Sequence, residues 1–469
     1  MTKAEDKPFE KESFRDSIST ISKEGKRSWS YPKKPKGRHY KNRTIVSIIL
    51  LAIMFLLPFI KVNGHPFMLL NVLERKFIIY GIAFWPQDFF LFVLAMLTFV
   101  VFIILFTALF GRLWCGWACP QTIFLEMVFR KLEYVIEGDY MQQKALDNSP
   151  LTRDKILKKT TKHITFFIIS FIIANTFLAY IIGVDELQHI IFDDPANHTA
   201  GLISIIVFTG VFYGVFARFR EQVCLVVCPY GRLQGVLLDP NSVVIAYDYK
   251  RGEPRGKLHK DEKRTIGDCI DCHQCVHVCP TKIDIRNGTQ LECVNCTACI
   301  DECDTIMERI NKPKGLIRYT SENSIIRKEK FKITNRIIGY SIILLILLST
   351  LTSLMILRED VETTILRTPG LLFQKLENNK ISNLYNIKIV NKTFHKMNVE
   401  LKLIEPRGEI KWIGNGIIDV NEDGLSEGEF FLIVPKEEVK KTKTKVIIQI
   451  MSDNKIVDNA ETSFLGPND

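Results

Sequence analysis

Histidine is scarce in this chain, nine residues in 469, and none lies deep inside an apolar run. That argues against buried haem, which needs an axial ligand held within the fold. No cysteine stands apart either. All twelve fall into four motifs, which leaves none for a disulfide framework and makes a reducing compartment the natural setting for them. Residues 1–43 lack any apolar h-region; they are polar and basic, ending in Lys33-Lys34-Pro-Lys36-Gly-Arg38. A disordered, cytoplasmic basic tail is expected there. Residues 185–200 lack lysine and arginine but hold four acids, and nothing after 358 is cysteine.

What is present is apolar. Hydrophobic residues make up 47%, with 31 Phe, and five runs approach the ~20 residues needed to cross a bilayer. They lie at about 44–60, 89–110, 164–182, 202–219 and 337–357. The net charge of +10 is not a nucleic-acid signal, because the basic residues cluster beside these runs. Segments 111–163 and 220–335 are rich in Lys and Arg and so face inward, whereas 185–200 faces outward. Five spans with the N-terminus inside place the C-terminus outside.

The expected organisation is a basic tail over 1–43 and a four-helix transmembrane region over 44–240. A cytoplasmic cluster-binding domain with its linker follows over 241–335, then a fifth transmembrane helix over 336–357 and a β domain over 358–469. The last region alternates apolar and polar residues in short runs, at 385–390, 399–404, 410–413, 430–434 and 446–451. These read as half-buried strands of a small β-sandwich.

The strongest signal runs from Cys269 to Cys303. Cys269-Ile-Asp-Cys272-His-Gln-Cys275-Val-His-Val-Cys279-Pro280 and Cys293-Val-Asn-Cys296-Thr-Ala-Cys299-Ile-Asp-Glu-Cys303 both read C-x2-C-x2-C-x3-C. A cubic iron–sulfur cluster needs four converging thiolates, and a tight loop supplies three. In two-cluster ferredoxins the fourth crosses over from the other copy. Cys269, Cys272, Cys275 and Cys303 are therefore expected to hold one [4Fe–4S] cluster, and Cys293, Cys296, Cys299 and Cys279 the other. Zinc sites also use C-x2-C pairs but have no use for three cysteines at strict three-residue intervals. His273 and His277 read as loop surface.

The other four cysteines form a second repeat, Cys115-Gly-Trp117-Ala-Cys119-Pro120 and Cys224-Leu-Val-Val-Cys228-Pro229. Each is C-x3-C-P at the inward end of an apolar span, with the two cysteines one helical turn apart. Single cysteines are tolerated in membrane helices as small apolar residues. Two such pairs at equivalent places instead offer up to four thiolates, which suits Cu(I) or a redox-active thiol/disulfide couple.

Together these residues resemble the FixG/CcoG family of cytochrome c oxidase accessory proteins, related to membrane polyferredoxins. The resemblance includes both C-x3-C-P motifs, Arg220-Glu-Gln-Val-Cys224, Tyr247-Asp-Tyr-Lys-Arg251-Gly-Glu-Pro-Arg255, the double cluster motif and Gly315-Leu-Ile-Arg-Tyr-Thr-Ser-Glu-Asn323. The family pattern would have glycine at Lys282. What the resemblance implies is a multidomain membrane protein of the bacterial cytoplasmic (inner) membrane. It would have five transmembrane helices, an inserted ferredoxin-like domain for two [4Fe–4S] clusters, and a periplasmic immunoglobulin-like β-sandwich. It further implies a cupric reductase: Cu(II) reduced to Cu(I) at Cys115, Cys119, Cys224 and Cys228, as catalytic and copper-binding residues. The partners implied are assembly components of a haem–copper cbb-type oxidase, with membrane lipid around the spans and no nucleic acid. Two other functions keep the same architecture: a quinol dehydrogenase-type electron-transfer subunit, and a non-enzymatic assembly scaffold acting through the β domain.

Overall fold

The computed structural model describes Thr20 and residues 26–467, apart from 63, 73–75, 258–266, 329–331, 371, 378, 415–417, 423, 440 and 453–454. The chain divides into two compact units. One comprises Met1–Leu56, Ala95–Leu178 and Asp185–Leu348, and the other Leu57–Leu94, Ala179–Val184 and Ser349–Asp469.

Among the described residues, five helices are long and apolar enough to cross a membrane: Arg38–Phe59, Phe89–Phe110, Arg153–Ile182, Thr199–Phe219 and Asn335–Ile356. The shortest has 21 residues, about 30 Å at 1.5 Å per residue, which matches the hydrocarbon thickness. Ile48, Val100, Ile203 and Leu345 on these helices stay exposed, as lipid-facing side chains do. The third helix starts at Arg153, well before its apolar run. Ion pairs of Lys159 with Asp147 and Glu137, and of Lys162 with Glu137, support that basic first stretch.

In the first unit, the strands Val244–Tyr247 and Ile317–Thr320 pair antiparallel and close a small domain around Ile245, Ile283, Ile285, Met307 and Ile317. Its helices are Gln274–His277 and Ala298–Arg309. The tail differs from expectation over 26–37, which is extended and fastened down. Ser30 Oγ donates to Pro280 O at 2.9 Å, Lys33 N to His277 O at 2.8 Å, and Lys33 Nζ to Gln274 Oε1 at 3.0 Å. A polar segment is ordered here because fixed backbone acceptors, rather than an apolar core, receive its donors. Residues 1–19 and 21–25 of that tail lie outside the described residues. The helix Arg38–Leu56 then begins on a borrowed cap: Asp301 accepts from His39 N at 3.1 Å and Tyr40 N at 2.8 Å.

The second unit holds the immunoglobulin-like sandwich. One sheet runs in the order Glu409–Trp412, Gly424–Pro435, Lys380–Asn391 and Val361–Arg367, with Gln374–Leu376 also pairing with Lys380–Asn391. The facing sheet runs Ile418–Val420, Met397–Glu405, Lys443–Ser452 and Lys455–Leu465. Alternate residues such as Tyr385, Ile387 and Ile389 meet Phe430, Val446, Ile448 and Phe464 in a core without solvent access. This unit also contains a three-stranded sheet that the sequence reading did not anticipate: Met68–Asn71, Lys76–Ile79 and Ile82–Phe84. Tyr80 and Gly81, with φ of 54° and 73°, form its two-residue turn, the positive-φ geometry that twisted hairpins favour.

Candidate functional site

The two cysteine runs fold as equivalent loops. Asp271 and Asn295, each third in its run, have φ of 54° and 52°; His273 and Thr297, each fifth, have 54° and 66°. Left-handed backbone at two places curls each loop so that its cysteines face inward, and Asp and Asn tolerate that conformation better than most residues. Lys282 sits at φ 64°, which accounts for the glycine of the family pattern; its Nζ donates to Ser28 Oγ at 2.8 Å.

Each loop borrows one cysteine from the other run. One cavity is lined by Cys293, Cys296, Cys299 and Cys279, together with Cys275, which lines both cavities, and Ile245, Ile283 and Ile285. A second is lined by Cys269, Cys272, Cys275 and Cys303, against Tyr247, Met307, Leu316 and Ile317. Burial pushes the thiols of Cys275 and Cys293 up to about 12 and that of Cys296 to about 11, and it raises Cys279, Cys299 and Cys303 as well. Sulfur crowded in an apolar lining fits a cationic iron core, which would offset the cost of ionising those thiols. Cys269-Ile-Asp-Cys272-His273 also spells the C-x-x-C-H string of haem attachment. Here His273 Nδ1 meets Arg286 Nη2 at 2.8 Å and its Nε2 lies 3.4 Å from Asp271, so both ring nitrogens are engaged.

The C-x3-C-P repeats do not continue as helices. Cys115 lies in the short helix Leu113–Trp117, but Cys119 is extended (φ −63°, ψ 124°) and caps a new helix that begins at Pro120. Cys228 does the same (φ −71°, ψ 111°) before Pro229–Leu237, while Cys224 sits in a π-helical turn, Val223–Val227. Proline starts the following helix, where its missing N–H costs nothing. Further π-helical turns lie at Phe124–Phe129 and Val215–Phe219. Such turns often mark functional sites.

The four thiols are within electrostatic reach of one another. Burial pushes Cys115 up to about 11, Arg112 opposes this, and Cys119 and Cys228 add to it. Cys224 rises to about 12 through burial first and then through Cys119, Cys115 and Cys228. Cys115 Sγ donates to Gln234 Oε1 at 3.3 Å, and Arg112 Nε donates to the same oxygen at 2.9 Å. Among the described residues, no three His, Cys, Asp or Glu side chains enclose a single-ion site.

The thiols also abut the cluster domain. Cys115 packs with Val278, Val294, Cys296 and Ala298. A Cβ on Gly116 would stand 2.5 Å from Val294 O and 2.6 Å from Asn295 O, between two cavity cysteines, Cys293 and Cys296. Arg43 Nε donates to Gly116 O at 2.6 Å, and Trp117 Nε1 to Tyr319 Oη at 3.1 Å.

Beside Cys224 lies a buried ion lattice that the sequence reading did not find. Arg220 donates to both oxygens of Glu133, at 2.6 and 2.8 Å, and Arg130 Nη2 to Glu221 Oε2 at 3.3 Å. Burial works to raise the Glu133 carboxyl, but Arg220, Lys162 and Arg130 hold it below the usual carboxylate range. Only the placement of Glu133 and Arg130 among apolar neighbours hinted at this.

Against known families, a 4Fe-4S dicluster domain profile matches residues 219–322, and a 4Fe-4S binding domain profile matches 92–135. The profile for the IG-like fold at the C-terminal of FixG matches 351–467. Nitrogen fixation protein FixG of Rhizobium meliloti is 37% identical over 63% of this chain, and the chain spans 58% of that relative's length. Protein RdxA and Protein RdxB of Cereibacter sphaeroides are 32% and 31% identical over 77% and 80% of the chain, and over 79% and 81% of their own lengths. Fold and site together define a membrane-bound iron–sulfur electron-transfer protein with two 4Fe–4S-binding domains. The chain belongs to the FixG family.

Proposed function

We propose that this protein reduces Cu(II) to Cu(I) at Cys115, Cys119, Cys224 and Cys228, for delivery to the assembly components of a haem–copper cbb-type oxidase. The observation that carries the reading is the packing of Cys115 and Gly116 against Val294, Asn295 and Cys296. It leaves no solvent layer between the dicluster domain and Cys115, one member of the thiol quartet.

The crossed cysteine sets would hold the two [4Fe–4S] clusters, which when bound would supply one-electron carriage. Arg112 and Gln234 orient Cys115, and the Glu133–Arg220 pair fixes the turn that carries Cys224. Each Cu(II) takes one electron, and soft thiolate ligands favour the Cu(I) product. Copper meets the quartet as substrate, to be passed on. The reading has the N-terminus and the dicluster domain on the cytoplasmic side of the inner membrane and the β-sandwich in the periplasm, which the Lys- and Arg-rich segments and an odd number of spans support.

The test is anaerobic. Reduced protein is mixed with Cu(II), and cluster reoxidation is followed alongside Cu(I) formation. Stoichiometric Cu(I) is expected, lost in Cys115→Ser/Cys119→Ser and in Cys224→Ser/Cys228→Ser variants that keep both clusters. Clusters that stay reduced in the presence of Cu(II) overturn the reading.

A further inference from the structure

We infer that electrons enter from a membrane quinol bound in a lipid-facing groove between the third and fourth spans, with His163 and Tyr213 receiving its head group. The inference rests on the electron-transfer reading, not on copper as the acceptor.

The groove is lined by Lys159, His163, Ile164, Phe167, Ile168 and Tyr213. Its wall is apolar and open to lipid: Ile164, Phe167 and Ile168 are each more than half exposed. Its polar elements are a hydrogen-bonded couple, Tyr213 Oη with His163 Nδ1 at 2.8 Å, and beside it Thr160 and Lys159, the lysine paired with Glu137 and Asp147. With Nδ1 so engaged, Nε2 is the ring nitrogen left to meet a ligand hydroxyl. The Phe167 ring stands edge-on to Tyr213, centroids 6.0 Å apart, and offers a flat ligand an aromatic flank.

This combination is specific in its chemistry. A lipid tail alone needs no histidine–tyrosine couple, and a water-soluble anion would not be met by three bare aliphatic and aromatic side chains. A quinol has a planar ring with two hydroxyls and an apolar tail, and it arrives from within the bilayer. His163 lies near the start of Arg153–Ile182 and Tyr213 near the end of Thr199–Phe219, so both mark the end of the helices that leads to Arg220 and Cys224. Inward from Tyr213, Phe212, Phe216, Phe129 and Phe124 pack ring on ring, with centroids 4.5 to 6.3 Å apart. Phe124 continues the helix that Cys119 caps.

The oxidation balances within what the chain carries. One quinol loses two electrons and two protons and leaves as quinone. When bound, the two [4Fe–4S] clusters of the dicluster domain would take one electron each. One proton goes to His163 Nε2 and the other to water at the groove mouth beside Lys159.

The test uses the full chain in nanodiscs, anaerobically, with clusters oxidised. A short-chain ubiquinol is added and cluster reduction is followed by absorbance; separately, binding of the matching quinone is measured by equilibrium dialysis. Tyr213→Phe and His163→Gln are expected to weaken quinone binding and slow quinol-driven reduction by about tenfold, the scale of one lost hydrogen bond to the head group. Reduction by dithionite, which bypasses the groove, is expected to be unchanged and shows that the variants are folded. Wild-type clusters that ignore quinol, or variants that bind quinone as wild type does, overturn the inference. Dithionite-reduced wild type that fails to reduce Cu(II) removes the copper reading alone and leaves the groove untouched.

Discussion

Gly116 and Asn295 meet backbone to backbone, with room for a hydrogen and nothing larger: a Cβ at Gly116 would stand 2.6 Å from Asn295 O. Gly116→Ala therefore has to part the Cys115 helix from the cluster loop. The expected cost is about 1–3 kcal/mol in stability, as for other overpacked sites. The rate at which Cu(II) reoxidises the clusters should fall while cluster content stays the same. Stopped-flow reoxidation beside an iron count separates the two, and an unchanged rate would remove this contact from the electron path.

The borrowed cysteines give a sharper test of ligation. Cys279 follows Cys275 in its own run but lines the cavity of Cys293, Cys296 and Cys299. Cys279→Ser is expected to impair the same cluster as Cys293→Ser, and Cys303→Ser the same one as Cys269→Ser. Electron paramagnetic resonance of the four variants should sort them into these two pairs; grouping by run would refute the crossed arrangement.

Asp301 caps a helix that is remote in sequence. It accepts from His39 N and Tyr40 N, and Gly37 is packed against its carboxylate. Asp301→Ala is expected to cost about 1–2 kcal/mol, the range for loss of a cap. Asp301→Asn, which keeps an acceptor, should cost less. Thermal melts of both variants check the order.

In the second unit, Asp88 is buried with Arg358 and Lys392, Lys392 Nζ and Arg358 Nη2 each 2.8 Å from its oxygens. Burial pushes its carboxyl up, but the hydrogen bonds and charges of the two cations outweigh that and hold it below its ordinary value. A depressed folded pKa contributes stability that is full above the unfolded pKa, about 3.9, and is lost as pH falls through the folded value. Unfolding of this unit should become easier below about pH 4. Asp88→Asn should flatten that acid limb and cost about 3–5 kcal/mol at neutral pH by leaving Lys392 and Arg358 without their shared carboxylate. Melting curves across pH for both proteins are the measurement.

The sequence was most legible where spacing alone carries the chemistry. The five apolar runs, the alternation in Tyr385, Ile387 and Ile389, and the C-x2-C-x2-C repeats each depend on local periodicity. It was least legible where partners are distant. Gln234 and Arg112 read as ordinary polar residues until the fold brings them to Cys115. Glu133 and Arg220 form a pair only because two helices meet. Proline after each second cysteine reads as a helix stop, yet Pro120 and Pro229 begin helices, because Cys119 and Cys228 turn extended just before them. The strap 26–37 has no apolar pattern at all; its order comes from acceptors such as Pro280 O and His277 O, which composition cannot reveal.

The cap that Asp301 gives to the first membrane helix also sets an order of assembly. A ribosome releases Arg38 long before Asp301, 262 residues after His39. During that interval the first helix has an open N-terminal turn and its strap has no seat. The strap is seated only when the run Cys269–Cys279 has folded to present His277 O and Pro280 O, and the cap is made only when the helix that follows Cys296 has formed, long-range contacts of the kind that form late. A cell short of iron would thus leave the beginning of this protein unfinished as well as its middle, and exposed to proteases until the metal arrives.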